Sequence, residues 1–431
     1  MQKNKYQIGK QIYTWGKDLF PICRSITGNG VRETLSYLNN LMPDLKIYEV
    51  PSGTKAFDWT VPREWNIKEA YILSPDGRKI VDFQNNNLHV VSYSLPVDKE
   101  ITLKELQGHL HSLPDQPDAI PYITSYYKEE WGFCISHNQR ELLKKGKYKV
   151  FIDSSLTNGS LTYGELLIKG TSKEEIFLST YICHPSMANN EISGPVVTTY
   201  LAKWIKSLKN RKYSYRIIFI PETIGSIVYL SKNWVKMKQN IIAGFVVTCV
   251  GDDNGYSYVK SRKGDTLADR VVDHVMKHVV GEYKAFSFLE RGSDERQYCS
   301  PGIDLPVCAV CRTKFREYKE YHTSLDNLDF ISPEGLEGSY TLLRQCINLL
   351  EANNKYKVNN LCEPQLGKRG LYPKAAHGKS VFKQVKNIMN FIAYADGEKD
   401  LIEIADTIGI FAEELFEMVR ILEKKDIISK L

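Results

Sequence analysis

Apolar and polar positions along the chain change their rhythm three times. Near the start, "VRETLSYLNNL" (residues 31–41) carries apolar residues at helical spacing behind a Thr-Gly-Asn-Gly turn at residues 27–30. From about residue 48 to 134 the spacing shortens to alternation: "AYILSPDGRKIVDF" and "HVVSYSLPV" are separated by Pro-Asp-Gly and similar turn residues, which predicts a small all-β module. From about residue 147 continuous apolar runs predict strands: "YKVFID", "GELLIKG", "EIFLSTYI", "YRIIFI", "IAGFVVTCV" and "LPVCAV". They alternate with helical patterns over residues 196–208, from 224, from 267 and over 333–350. Strands buried on both faces and interleaved with amphipathic helices imply a largely parallel sheet in an α/β layer. After residue 371 the pattern is helical again in three segments and closes on a short "DIISKL" strand, the order of a winged helix-turn-helix.

The fold expected is therefore α/β, a mixed and mostly parallel sheet flanked by helices, with an inserted small β-domain and a C-terminal winged helix. The α/β domain is assigned to residues 1–46 and 135–365, the insertion to 47–134 and the winged helix to 366–431. A chain of 431 residues accommodates such a division, since domains usually run to roughly 100–200 residues.

Composition narrows the classes. With 42% hydrophobic and 25% charged residues the chain is globular. Its net charge of +6 is spread in mixed-sign clusters, which disfavours nucleic acid or an anionic membrane as the main partner. No run of about 18 apolar residues occurs, so no membrane span is expected, and the N-terminal stretch lacks the apolar core of a secretory signal. Cys183, Cys249, Cys308 and Cys346 sit in apolar runs and read as buried reduced thiols; a cytoplasmic protein is the expectation. Cys308 and Cys311 form a CxxC without a second pair at zinc-ribbon spacing, and read as core. In the winged helix, Glu413, Glu414 and Glu417 would oppose phosphate. That leaves protein contact, including a homo-oligomer interface, or a structural wing.

Chemistry gathers beyond the carboxyl ends of the strands of an open α/β sheet. "IFLSTYI" runs into Cys183-His184-Pro185 and then Asn190-Glu191, "YRIIFI" into Pro221-Glu222-Thr223, and "FVVTCV" into Gly251-Asp252-Asp253. Around "LPVCAV" lie "ERGSDERQYCSPG" and "YHTSLDN", with His322 and Asp326. Singly each is an ordinary turn or a core histidine. Together, His184, Glu191, His322 and Glu222 supply the nitrogen and carboxylate ligands and the nearby base that a catalytic zinc needs. Arg24 and Arg32, flanking the N-terminal Gly turn, read as helix-capping charges, with closure of the pocket as the alternative.

The series "CHPSMANNEISG", "PETIGS", "GSDERQYCSPG" and "YHTSLDN" resembles the aminopeptidase-like family of bacterial proteins labelled polysaccharide-biosynthesis proteins, a branch of the zinc-dependent exopeptidase clan. The resemblance spans essentially the whole chain. It implies that His184 and His322 match the first and last histidine ligands of two-zinc aminopeptidases. Asn190 stands where the clan has a bridging aspartate, and Thr223 and Thr248 stand where it has further carboxylates, so one zinc is expected rather than two. On this resemblance His184, Glu191 and His322 are the metal ligands and Glu222 is the general base. Asp294, Glu295 and Arg296, in the substrate-side loop, and Asn190 are the substrate contacts. The implied activity is hydrolysis of an amide or N-terminal peptide bond in a small substrate. The alternatives are a metal-dependent amidase or deacylase acting on a glycan precursor, and a catalytically degenerate binding or regulatory protein that uses its winged helix.

Overall fold

The computed structural model describes residues 6–371 and 379–431, without the side chains of residues 379–382. Residues 1–5 and 372–378, which fall in the ranges assigned to the α/β domain and the winged helix, lie outside the described residues. Contacts divide the chain into two compact units, one of residues 1–268 and 284–341, the other of residues 269–283 and 342–431.

The first unit is built on an eight-stranded sheet. Its order is Lys46–Pro51, Ser160–Ile168, Ser214–Ile220, Glu175–Tyr181, Ile241–Val247, Val307–Cys311, Ser257–Val259 and Lys284–Phe286. The four central strands, from Ser214–Ile220 to Val307–Cys311, run parallel, and antiparallel pairings flank them. The sheet is thus mixed with a parallel centre, as the apolar runs imply. Glu175–Tyr181 is buried at every position, which is why it reads as a continuous apolar run rather than an alternation. From it the chain crosses through the helix Ser193–Ser207 to Ser214–Ile220 on one side, then through the helix Ile224–Asn240 to Ile241–Val247 on the other. That reversal opens a crevice at the carboxyl end of Glu175–Tyr181, the place where α/β sheets bind ligands.

A second, antiparallel sheet of four strands has the order Lys79–Asp82, Glu64–Leu73, Lys147–Thr157, Val97–Thr102. The run "YKVFID", expected as the first strand of the α/β layer, belongs here instead and pairs Ile152 with Ala70. Its burial alternates along the strand, the signature of a strand covered on one face. A two-stranded hairpin, Lys55–Ala56 with Trp59–Thr60, and a short pair, Leu110–His111 with Phe133–Cys134, complete this region. Cys308 and Cys311 are buried within the strand Val307–Cys311, as the core reading requires.

The second unit carries a three-stranded antiparallel sheet in the order Asp396–Asp400, Lys355–Val358, Ile428–Lys430, with the helices Lys379–Tyr394, Leu401–Ile408 and Phe416–Lys424. This is the winged helix the sequence announced. Asp400 starts its middle helix through a capping box with Glu403. Among the described residues, no helix is long and apolar enough to cross a membrane.

Candidate metal centre

The strand Glu175–Tyr181 delivers His184 to the crevice, and a single π-helical turn, Ala188–Ile192, follows before the helix Ser193–Ser207 begins. Such one-turn π segments cluster at functional sites. The turn is held by Asp326, a fully buried carboxylate that accepts from the backbone N–H of Ala188 (3.1 Å), Asn189 (2.6 Å) and Asn190 (2.9 Å) and from the Tyr318 hydroxyl (3.2 Å). Gly194 lets the helix start close to the sheet, since a Cβ there would meet Thr180 Oγ1 at 2.4 Å and the Val247 carbonyl at 2.5 Å. Asp252, a rim carboxylate by sequence, is instead structural: it accepts from Asn189 Nδ2 at 3.0 Å and from the Thr313 hydroxyl at 2.6 Å.

His184 is fixed from behind. Its Nδ1 lies 2.9 Å from Glu191 Oε2, and the other Glu191 oxygen lies 3.3 Å from Arg24 Nε. Arg24 also donates to the His184 carbonyl (3.0 Å) and the Leu19 carbonyl (2.8 Å). Arg24 is wholly buried, so the expectation that it merely caps a helix is corrected: burying a guanidinium is tolerable only beside a carboxylate and acceptors such as these. Arg32 pairs with Glu64 and also binds Asn29. Burial pushes His184 down to about 3, with Arg24 adding to it, so the imidazole is neutral. The tautomer in which Nδ1 donates to Glu191 leaves the lone pair of Nε2 on the side of Glu222 and the cavity. Burial pushes Glu191 up to about 8, and Arg24 opposes that rise.

Glu222 sits opposite, just past the strand Ser214–Ile220, with its carboxylate 3.7 Å from His184 Nε2 and its backbone N–H on Cys183 Sγ at 3.2 Å. Burial raises its pKa, and Asp294 raises it further. Thr223 has a φ of 64°, an unfavourable conformation for a β-branched residue. It is held there by Asp294, which accepts from the Thr223 N–H and the Ser226 hydroxyl, both at 2.8 Å, and by Arg296, which donates to the Thr223 hydroxyl. His322 (φ 58°), Cys249 (φ 51°) and Ser186 (φ 36°) add further positive-φ residues around the site. Strain of this kind persists where packing over-determines it, commonly at functional sites.

His322 comes to the same place from the loop after Val307–Cys311. Its ring lies 5.5 Å from that of His184, and Tyr321 stacks on it at 3.9 Å. Tyr122 presents its ring to both histidines, 5.3 Å from His184 and 5.2 Å from His322, and donates its backbone N–H to the His322 carbonyl at 2.9 Å. Burial, followed by His184, pushes His322 down to about 3. His184, Glu222, His322, Arg296, Cys183, Tyr122 and Tyr126 line a cavity of about 470 Å³.

The sequence-derived residues thus divide. His184, His322, Glu222 and Arg296 meet in the cavity. Glu191 lies on the Nδ1 side of His184, and its ligand oxygen, His184 nitrogen and Cys183 sulfur fall within 4.8 Å of one another. Asp294 and Glu295, expected to touch substrate, are buried and turned inward, Asp294 to Thr223 and Ser226 and Glu295 to the backbone N–H of Gly292 (2.8 Å) and Ser293 (3.2 Å). Asn190 donates to the Tyr181 hydroxyl at 2.6 Å, while its Oδ1 is buried with no hydrogen-bond partner. Tyr122 and Tyr126 are not among the sequence-derived site residues. Their only signal is the aromatic density of "PYITSYY", because nothing local ties that segment to histidines far along the chain.

Residues 13–353 match a family described as a domain of unknown function, DUF4910, and residues 354–430 match a winged helix-turn-helix family. The chain belongs to the DUF4910 family. A Clostridium acetobutylicum relative, provisionally named a polysaccharide biosynthesis protein with an aminopeptidase-like domain, is 48% identical over 409 residues, 95% of this chain and 93% of its own length. The crystal structure of a provisionally named peptidase from that species superposes with a TM-score of 0.93 at 45% identity, covering 100% of this chain and 98% of that one. A zinc aminopeptidase of Bacillus subtilis gives a TM-score of 0.58 at 12% identity, covering 79% and 94% of the two chains. A peptidase M28 precursor of Shewanella amazonensis gives 0.56 at 14%, covering 83% and 98%. The DUF4910 chain therefore has an aminopeptidase-like fold.

Proposed function

We propose that the chain is a metal-dependent amide hydrolase of the aminopeptidase type. The observation that carries this reading is the meeting of His184, His322 and Glu222 on one cavity, with His184 Nε2 3.7 Å from Glu222. The donor set fits a cation. Both imidazoles are neutral, and on the turn that follows His184 the buried Oδ1 of Asn190 lacks a hydrogen-bond donor, a costly state unless something positive satisfies it. His184 and His322, which share the cavity, would hold the ion, and zinc suits such nitrogen ligands. Glu191 acts from behind, as the carboxylate that fixes the tautomer of His184. Because Asn190, Thr223 and Thr248 are neutral, one ion is proposed rather than two.

When bound, zinc supplies polarisation of the scissile carbonyl and acidification of a water. Glu222, whose pKa is raised by burial, takes the proton of the attacking water and returns it to the leaving amine. Arg296, pinned through Thr223, offers a guanidinium to an anionic substituent of the substrate. Tyr122 and Tyr126 on the cavity wall are placed to limit bulk water at the reacting atoms.

A second reading keeps this chemistry and places the amide on a glycan precursor. It is favoured by the inward turn of Asp294 and Glu295, which leaves neither to hold an α-ammonium, and by the polysaccharide biosynthesis name of the 48% identical relative.

The test is elemental analysis of the purified chain beside His184→Ala, His322→Ala and Glu222→Gln. The expected result is about one zinc per chain in the wild type and Glu222→Gln, and loss from both histidine variants. A wild type that takes up no metal even when zinc is supplied overturns the hydrolase reading in favour of a degenerate binding protein.

A further inference from the structure

Next to the catalytic cavity runs a groove of about 410 Å³, lined by Phe57, Trp59, Trp234, Ile227 and Leu230 with Asp58, Gln297 and Ser300. Trp59 and Gln297 line both spaces, so a ligand whose amide lies beside Glu222 has room to extend into the groove. Its floor is the buried Ile227 and Leu230 of the helix Ile224–Asn240. Its lip is the hairpin in which Lys55 pairs with Thr60 and Ala56 with Trp59.

The two-residue turn of that hairpin is Phe57-Asp58. Phe57 has a φ of 54° and is 57% exposed. The first position of such a turn with positive φ favours glycine, because a side chain there is strained. A bulky aromatic held in that conformation, with more than half of the residue's surface in solvent, gains little from core packing. The strain is explained if the ring serves a ligand.

We infer that this groove is the second subsite of the cleft and takes a sugar ring of the substrate, one unit away from the amide. The inference rests on the amide-hydrolase reading of the adjoining cavity and specifies its substrate as a glycan bearing the amide. Three aromatic residues offer flat apolar surface to the C–H face of a pyranose. The carboxylate of Asp58, the amide of Gln297 and the hydroxyl of Ser300 offer partners to its hydroxyls. An apolar peptide side chain would use the aromatic faces and leave the Asp58 carboxylate and the Gln297 amide without a role, while the Ser300 hydroxyl already donates to the Gln297 carbonyl at 2.8 Å.

The full chain is tested by saturation-transfer NMR and tryptophan fluorescence titration with trisaccharides of glucose and of N-acetylglucosamine, and with trileucine as the peptide probe. Metal content is measured on the same samples. The expected result is binding of at least one trisaccharide, weakened ~10-fold or more by Trp234→Ala and by Phe57→Gly. Phe57→Gly, which relieves the turn, is expected to keep or raise the melting temperature, an outcome that a purely structural role for Phe57 would reverse. Trileucine binding that depends on the same residues, with no sugar binding, overturns the inference, and so does failure of every probe to bind a folded wild type. If metal is present and no sugar binds, the groove proposal falls and the hydrolase reading stands. Sugar binding sensitive to Phe57 and Trp234 in a metal-free chain supports the groove and removes the hydrolase reading.

Discussion

His184 and Glu222 face each other across 3.7 Å, and each depends on a group that the cavity does not show. Behind His184 stands the pair of Glu191 and Arg24, both without exposed side-chain surface. Breaking a buried pair by deleting one partner leaves an uncompensated charge, at a cost of about 3–5 kcal/mol. Arg24→Met is therefore expected to lower the melting temperature sharply, and the double variant Arg24→Met/Glu191→Gln to recover much of the loss; equal melting temperatures for the two would remove the pair from this account. Glu191→Gln alone should weaken zinc binding ~10–100-fold, read by competition with a chelator, as expected of a carboxylate that orients a histidine ligand. On the opposite wall, Glu222→Gln should retain zinc and fold while losing ~100-fold or more in amide hydrolysis. If that variant hydrolyses substrate as the wild type does, another group is the base.

Elements are tied together by contacts of the same kind, though closer to solvent. The strand Glu64–Leu73 is fastened to the helix Asn29–Leu41 by Arg32 and Glu64. The hydrogen bond from Arg32 holds Glu64 down to about 2, with the Ser160 N–H and Asn66 contributing. A carboxylate depressed in the folded state adds stability above its unfolded value of 4.5 and loses that contribution as pH falls through 2. The destabilisation caused by Glu64→Gln in thermal melts is thus expected to be full at neutral pH and to shrink between pH 4.5 and 2; a pH-independent difference would contradict the linkage. At the start of the helix Ser193–Ser207, Gly194→Ala must displace Thr180 Oγ1 or the Val247 carbonyl, and about 1–3 kcal/mol of destabilisation by overpacking is expected in chemical denaturation.

At the scale of the whole molecule, the winged helix-turn-helix presents Glu414 and Glu417 around the start of its third helix, Phe416–Lys424. Acidic groups there oppose phosphate, so mobility-shift assays with duplex DNA are expected to show no salt-dependent retention. The order of elements, the parallel centre of the sheet, the wing, and the strand-end places of His184 and Glu222 were legible in the chain, because hydrophobic period and strand-end residues are local properties; His322, on a loop, was marked only by its motif. The sheet joined by Lys147–Thr157 was not, since an apolar run does not reveal its partner strand. The tertiary structure alone decided which way each polar group turns. It set Glu191 behind His184, buried Arg24 against it, drew Asp294 and Glu295 inward to backbone donors, and brought Tyr122 and Trp59 to histidines and helices distant in sequence. Those placements follow from desolvation and packing among residues far apart along the chain, which no local pattern encodes.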